Sequence, residues 1–171
     1  MMTFPRIFVA ATILAFTSLY GTHLYTGGIF YENTTCSAPQ GIYIRTLNQT
    51  IQPGDYVILG LPKEFPKLNK PKGYLLLKQI AADEGTTYIV KNSQLIVNNH
   101  SYPYANFDYL PQLIEGKYTV PKDNFLCLNE PVESFDSRYL GPIHKKHILC
   151  KVSIFIDYAE LAKIYYKLFG R

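Results

Sequence analysis

Polar and apolar positions divide the chain into one long apolar run, a series of short strand-like segments and a closing helical segment. Arg6 is the only charged residue in the first 31, and none occurs from Ile7 to Tyr31. The most apolar part is Ile7–Tyr20. With residues through Tyr25 it reaches the roughly 20 residues that a helix needs to cross a bilayer, and Tyr20, Tyr25 and Tyr31 suit an aromatic belt at its far interface. A cleaved secretory signal with Arg6 as its basic end is the alternative, but no A-x-A site closes the run. The pattern therefore predicts a membrane anchor over residues 1–31 and an extracytoplasmic domain over residues 32–171. In that domain Ile42–Arg45 and Tyr56–Leu59 read as strands, the latter following the turn signal Gln52-Pro53-Gly54-Asp55. Pro62–Gly73 reads as an exposed loop. Tyr74–Ala82 is an apolar run with one charge inside it. Thr86–Val90 and Leu95–Asn98 flank a hairpin turn, Ser101–Glu115 reads as irregular, and Asn124–Leu128 and His147–Ile156 read as strands. Asp157 is placed to cap a helix over Tyr158–Phe169. The sum is a mostly β domain with one N-terminal transmembrane helix and a short C-terminal helix.

Composition narrows this picture. Fifteen Tyr, ten Phe and no Trp fit strands and a lipid interface better than a helical bundle. A net charge of +4, with no block of like charges, gives no footprint for nucleic acid. Of the three cysteines, Cys127 and Cys150 fall in strand-like segments and could pair outside the cytoplasm, leaving Cys36 free. His144, His147 and Cys150, with Cys127, are zinc-type residues. Along an extended strand, however, their spacing does not converge.

Three stretches can carry chemistry. In Thr35-Cys36-Ser37-Ala38-Pro39-Gln40-Gly41-Ile42-Tyr43, Pro39 keeps Ala38 out of helix and Gly41 is permissive. Ser37 is thus expected on a stiff turn that fixes where its hydroxyl points; an ordinary loop serine is the plainer reading. Lys78, between Leu75-Leu76-Leu77 and Ile80-Ala81-Ala82, is expected to be desolvated, which favours the neutral amine; a strand-edge lysine reaching water is the alternative. A neutral lysine can take a proton from a serine hydroxyl. In Ser134-Phe135-Asp136-Ser137-Arg138-Tyr139-Leu140-Gly141-Pro142, Asp136 and Arg138 can pair and hold a polar loop, leaving Ser134 or Ser137 to bond a lysine amine.

In this order the stretches resemble the type I signal peptidases, membrane-bound serine proteases with a Ser-Lys dyad. Four boxes carry the likeness: Ser37-x-Pro39-x-Gly41-x-Tyr43, Pro53-Gly54-Asp55-Tyr56-Val57, Leu77-Lys78-Gln79-Ile80, and Ser134-x-Asp136-Ser137-Arg138-Tyr139-x-Gly141-Pro142. The resemblance implies a signal-peptidase-like β fold, with Ser37 as nucleophile, Lys78 as general base and Ser134 orienting the lysine. It also implies Thr35 and the Ser37 amide as oxyanion donors, and Asp136 and Arg138 as supports of the site. It implies no metal or other cofactor. The substrate would be the extended signal or leader peptide of an exported protein or pilin, cut after small residues. The enzyme would sit in the cytoplasmic membrane with its catalytic domain on the periplasmic side. Two features depart from the housekeeping enzymes: Cys36 precedes the nucleophile where methionine is frequent, and Asn129–Glu133 replaces a G-D-N-R-like run. The single anchor and short chain are more similar to the TraF-type peptidases of conjugative transfer, some of which process pilin or join its ends.

Two rival readings accompany this one. A self-cleaving repressor-type protease shares the Ser-Lys logic, but the apolar segment and the absence of a DNA-binding helix pair oppose it. An anchored, non-enzymatic β scaffold of a secretion or conjugation complex is the other.

Overall fold

A computed structural model of the chain describes residues 9, 11–18, 21, 28–105 and 109–170. Most of the span assigned to the anchor lies outside these residues. Residues 11–18 are helical, and among the described residues no helix is long and apolar enough to cross a membrane. The remainder is mostly β. Among the described residues eleven strands form two sheets: β1 (Phe30–Asn33), β2 (Gly41–Arg45), β3 (Tyr56–Gly60), β4 (Leu75–Ala82), β5 (Thr87–Lys91), β6 (Gln94–Val97), β7 (His100–Pro103), β8 (Gly116–Thr119), β9 (Asn124–Leu128), β10 (Ile143–His144) and β11 (Ile148–Asp157). The larger sheet runs β1-β2-β11-β3-β4-β9-β10 and the smaller β7-β6-β5-β8, with every pairing antiparallel.

Strand β3 explains its own unbroken apolar sequence, because both of its faces are covered. Val57 and Leu59 pack with Ile80, Cys127 and Ile143, whereas Ile58 packs with Tyr43, Cys150 and Val152 on the other side. A third cluster joins the small sheet to β9 through Tyr88, Val90, Leu95, Val97, Leu126 and Leu128.

Four strands fall where the sequence reading placed none, the two-residue β10 being the shortest. β7 follows Asn98 and Asn99, whose φ values of 51° and 61° make a two-residue hairpin turn like that of Asn92 and Ser93. β8 pairs with β5. β1 pairs with β2, so the folded domain takes in Phe30 and Tyr31 from the span assigned to the anchor. The segment Ser134–Pro142, read as a polar loop, contains a short helix, Ser137–Leu140, and its Ser134, Asp136, Ser137 and Arg138 are buried.

Cys127 and Cys150 are both free thiols, as is Cys36. Cys127 lies on β9 and Cys150 on β11, with β3 and β4 between them. At about 4.8 Å per strand step their separation far exceeds what a disulfide spans.

Candidate active site

Ser37 sits in the turn that leads from β1 to β2, and two side chains shape that turn. Asn33, the last residue of β1, is buried and faces into it. Its Oδ1 accepts from Thr35 N (3.2 Å) and Thr35 Oγ1 (2.7 Å). Its Nδ2 donates to the carbonyls of Thr35, Ala38 and Pro39 at 3.0–3.1 Å. From the other side the buried Tyr43 hydroxyl donates to Pro39 O (2.9 Å). The turn is therefore held at both ends, with Ser37 partly exposed at its crest. Ser37 Oγ lies 3.0 Å from Thr35 Oγ1. Because the Thr35 hydroxyl spends its single hydrogen on Asn33, it accepts from Ser37 here.

Gly41 serves by size. Its φ is not in the left-handed region, contrary to the torsional freedom read from sequence. A Cβ there would instead collide with the Ile156 carbonyl oxygen. Glycine lets β11 pass close to β2 immediately after the Ser37 turn.

Lys78 lies on β4 opposite Val57 and is 2% exposed. Its Nζ donates to Ser134 Oγ at 2.9 Å. Burial pulls the Lys78 ammonium down to about 8, against a smaller opposing pull from Asp136. The alternative of a lysine reaching water is thereby excluded.

The strand around Lys78 is pinned on both sides. Ahead of it, Gly54 N donates to Ile80 O and Ile80 N to Asp55 O, both at 2.8 Å; this is the work of the Pro53-Gly54-Asp55 turn, where Gly54 needs φ 95°. Beside it, the buried Asn129 accepts from Gln79 N (2.9 Å) and donates to Leu77 O (3.1 Å) through its side chain. These are the backbone neighbours of Lys78.

Behind the amine stands a buried ion pair. Asp136 and Arg138 are both fully buried and bonded twice, Nε to Oδ1 at 2.9 Å and a terminal guanidinium nitrogen to Oδ2 at 2.7 Å. The guanidinium also donates to the carbonyls of Pro103, Asn129 and Pro131. Asp136 accepts from the amides of Asn129 and Arg138. With every polar group satisfied, this pair fixes the Ser134 segment against β9 in a way an exposed pair would not. Ser137 takes no part with the lysine; its Oγ accepts from Cys127 N (2.9 Å).

Ser37, Thr35, Asn33 and Lys78 all line one cleft of about 590 Å³, walled by β1 and by Leu75–Lys78. A second cleft, of about 370 Å³, opens on the other side of Ser37 between Cys36–Pro39 and Asn129–Pro131. The fold thus brings together four of the sequence-chosen residues, Ser37, Lys78, Ser134 and Thr35, with Asp136 and Arg138 as a scaffold behind. It adds Asn33 and Asn129, which the sequence reading missed. Asn33 carried a usable signal, since an asparagine two residues before a turn residue forms an Asx-turn; for Asn129 nothing local pointed to the role. Among the described residues no three His, Cys, Asp or Glu side chains converge to hold a metal.

An amine kept dry beside a hydroxyl-bearing turn can accept a proton near neutral pH, and the two clefts leave room for chain on both sides of Ser37. Comparison with known proteins agrees in class. The profile of the family signal peptidase, peptidase S26, matches residues 2–156. The chain belongs to this family and is a signal-peptidase-like serine peptidase. Within that class it is similar to the plasmid transfer protein TraF of Escherichia coli, at 25% identity over 137 residues, covering 68% of this chain and 77% of that one. Among solved structures, a signal peptidase I from Enterococcus faecalis matches at 17% identity with a TM-score of 0.41, covering 61% of this chain and 97% of that one.

Proposed function

We propose that the chain is a membrane-anchored serine endopeptidase that removes signal or leader peptides, with Ser37 as nucleophile and Lys78 as general base. The observation that carries this reading is the buried Lys78 amine, held by Ser134 Oγ at 2.9 Å in the wall of the cleft that Ser37 lines. A substrate segment lies extended in the cleft. Neutral Lys78 takes the Ser37 hydroxyl proton as Oγ bonds to the scissile carbonyl carbon. The Ser37 amide and the Thr35 hydroxyl donate to the oxyanion, for which Thr35 must turn its hydrogen away from Asn33. The C–N bond breaks, the leaving amine takes the proton from Lys78, and an ester on Ser37 remains. Water, deprotonated by Lys78, then hydrolyses that ester. A substrate amine in place of water would give a new peptide bond and a circular product. The likeness to a plasmid transfer protein favours a pilin-like substrate of a conjugation system. The apolar run ahead of β1 anchors the chain in the cytoplasmic membrane, and the domain from Phe30 onward faces the periplasm.

The test is mass spectrometry of a presequence-bearing substrate incubated with the detergent-solubilised chain, its Ser37→Ala variant and its Lys78→Met variant. Cleavage after a small residue by the parent alone supports the dyad, and a product lighter by one water reveals ring closure. Cleavage retained in either variant overturns the assignment.

A further inference from the structure

The C-terminal helix Tyr158–Phe169 follows directly from β11 and is capped by Asp157, whose carboxylate accepts from the amides of Ala159 and Glu160. It buries none of its residues. Leu161, Ile164, Tyr165, Tyr166, Leu168 and Phe169 are each more than half exposed. Leu161, Ile164, Tyr165 and Leu168 recur at the i, i+3, i+4, i+7 spacing of one helix face. Glu160, Lys163 and Lys167 form a narrow polar stripe on the opposite side. An apolar face this wide is costly to leave in water, and nothing among the described residues covers it.

The root of the helix shows what does. Tyr158 N donates to Gln40 O (3.0 Å), and Tyr158 OH donates to Glu32 Oε1 (2.7 Å). Three residues before it, the exposed Phe155 ring stands 6.2 Å from that of Phe30. Phe30 opens β1, the strand into which the charge-free run ending at Tyr31 leads. The helix therefore leaves the same sheet edge that the apolar run enters, at the other end of the four-residue β1: Asp157 is level with Gly41 and Asn33, Phe30 with Ile44. At 1.5 Å per residue, 12 residues span about 18 Å, too short for a hydrocarbon core of about 30 Å. A short helix with aromatics on one face and lysines on the other is built to lie in a lipid interface, with the lysine heads reaching up to anionic headgroups.

We infer that the helix Tyr158–Phe169 docks flat on the bilayer, apolar face down, as a second membrane contact beside the anchor. The inference rests on the anchor reading and extends it. One attachment leaves the tilt of the domain free; two contacts spaced along one sheet edge fix it. Phe30, on this edge, also lines the cleft with Ser37. Docking thus holds the cleft near the bilayer surface, where a peptide still embedded in lipid can reach it.

The chain has no tryptophan, so single tryptophans report without background. Tyr165→Trp, Lys163→Trp and Phe16→Trp variants of the full chain would be reconstituted into phosphatidylcholine–phosphatidylglycerol vesicles carrying brominated acyl chains. Tyr165→Trp is expected to emit further to the blue and to be quenched about twofold or more, with Lys163→Trp quenched much less, as an interfacial helix requires. Tyr165→Trp left unquenched while Phe16→Trp is quenched overturns the docking and leaves the anchor standing. A blue-shifted but unquenched Tyr165→Trp also overturns it, since protein rather than lipid then covers the face. Neither site quenched removes both readings, and equal quenching at 163 and 165 removes the flat orientation.

Discussion

The two halves of the candidate site are built from different materials. The Ser37 turn is held by short-range bonds, most of them carried by Asn33 or Tyr43 to backbone within six residues, the rest linking the side chains of Asn33, Thr35 and Ser37. The Lys78 side is held by contacts from 50 to 56 residues away, through Asn129 and Ser134, and by the fully buried Asp136–Arg138 pair. The difference suits the tasks proposed for the two groups. A nucleophile must meet a substrate that arrives from outside, so it is raised on an exposed turn and aimed by local bonds. A lysine base must lose its proton near neutral pH, which requires a dry site, and only the packed interior of a sheet can exclude water so completely.

The comparison breaks first at its two reactive groups. Ser37→Ala and Lys78→Met are each expected to lower kcat at least about 1,000-fold. Ser37→Ala, at the crest of its turn, should barely change the melting temperature, and Lys78→Met should leave it equal or higher, because it replaces a buried amine with an apolar chain of similar length. Turnover assays paired with thermal melts check both. Next in size is the support behind the lysine. Arg138→Ala or Asp136→Ala leaves one buried charge without its partner, at about 3–5 kcal/mol of stability, so the melt should fall sharply in denaturant titrations of either variant. On the Ser37 side the effect should divide the other way. Asn33→Ala and Thr35→Val are expected to reduce kcat by about 100-fold, the low end of the scale of a lost oxyanion donor. Thr35→Val, at an exposed position, should barely change the melt; Asn33→Ala should cost about 1–3 kcal/mol through unsatisfied turn carbonyls. Equal losses of stability on the two sides would erase the distinction between a local and a long-range half.

The smallest effect is in pH. With the Lys78 pKa brought down to about 8, activity should rise as pH passes through about 8, and the kcat profile of the parent chain measures this. Stability follows the same group. Between about 8 and the ordinary lysine value of 10.5 the unfolded chain binds more protons than the folded one, so Lys78 makes the fold more stable as pH rises through that window. Below it both states are protonated, and the full cost of the buried charge is felt. Denaturation of parent and Lys78→Met at pH 7 and pH 10 isolates this contribution, whose slope should vanish in the variant.

Much of this was legible in the chain. The four boxes marked Ser37, Lys78 and Ser134, and the closing helix with its Asp157 cap appears over the residues its pattern predicts, because capping and helical spacing are local chemistry. Strands with a period of two or a buried run were legible for the same reason. β7 and β8 were not, since His100–Pro103 and Gly116–Thr119 carry little apolar signal and owe their strand state to partners in β6 and β5. The Cys127–Cys150 pairing allowed by sequence fails on strand order alone.

By itself, then, the sequence determined which residues carry reactive groups, the order of the motifs and the short elements whose geometry their own neighbours dictate. The tertiary structure decided what those groups are worth. A lysine in an apolar run has its pKa lowered only when strands from distant parts of the chain close over it. Asp136 and Arg138 become a scaffold only when Pro103, Asn129 and Pro131 turn their carbonyls inward. Gly41 is required because β11, more than a hundred residues later, passes where a side chain would stand. Desolvation and close approach arise from chain segments far apart in sequence, and no local pattern can encode them.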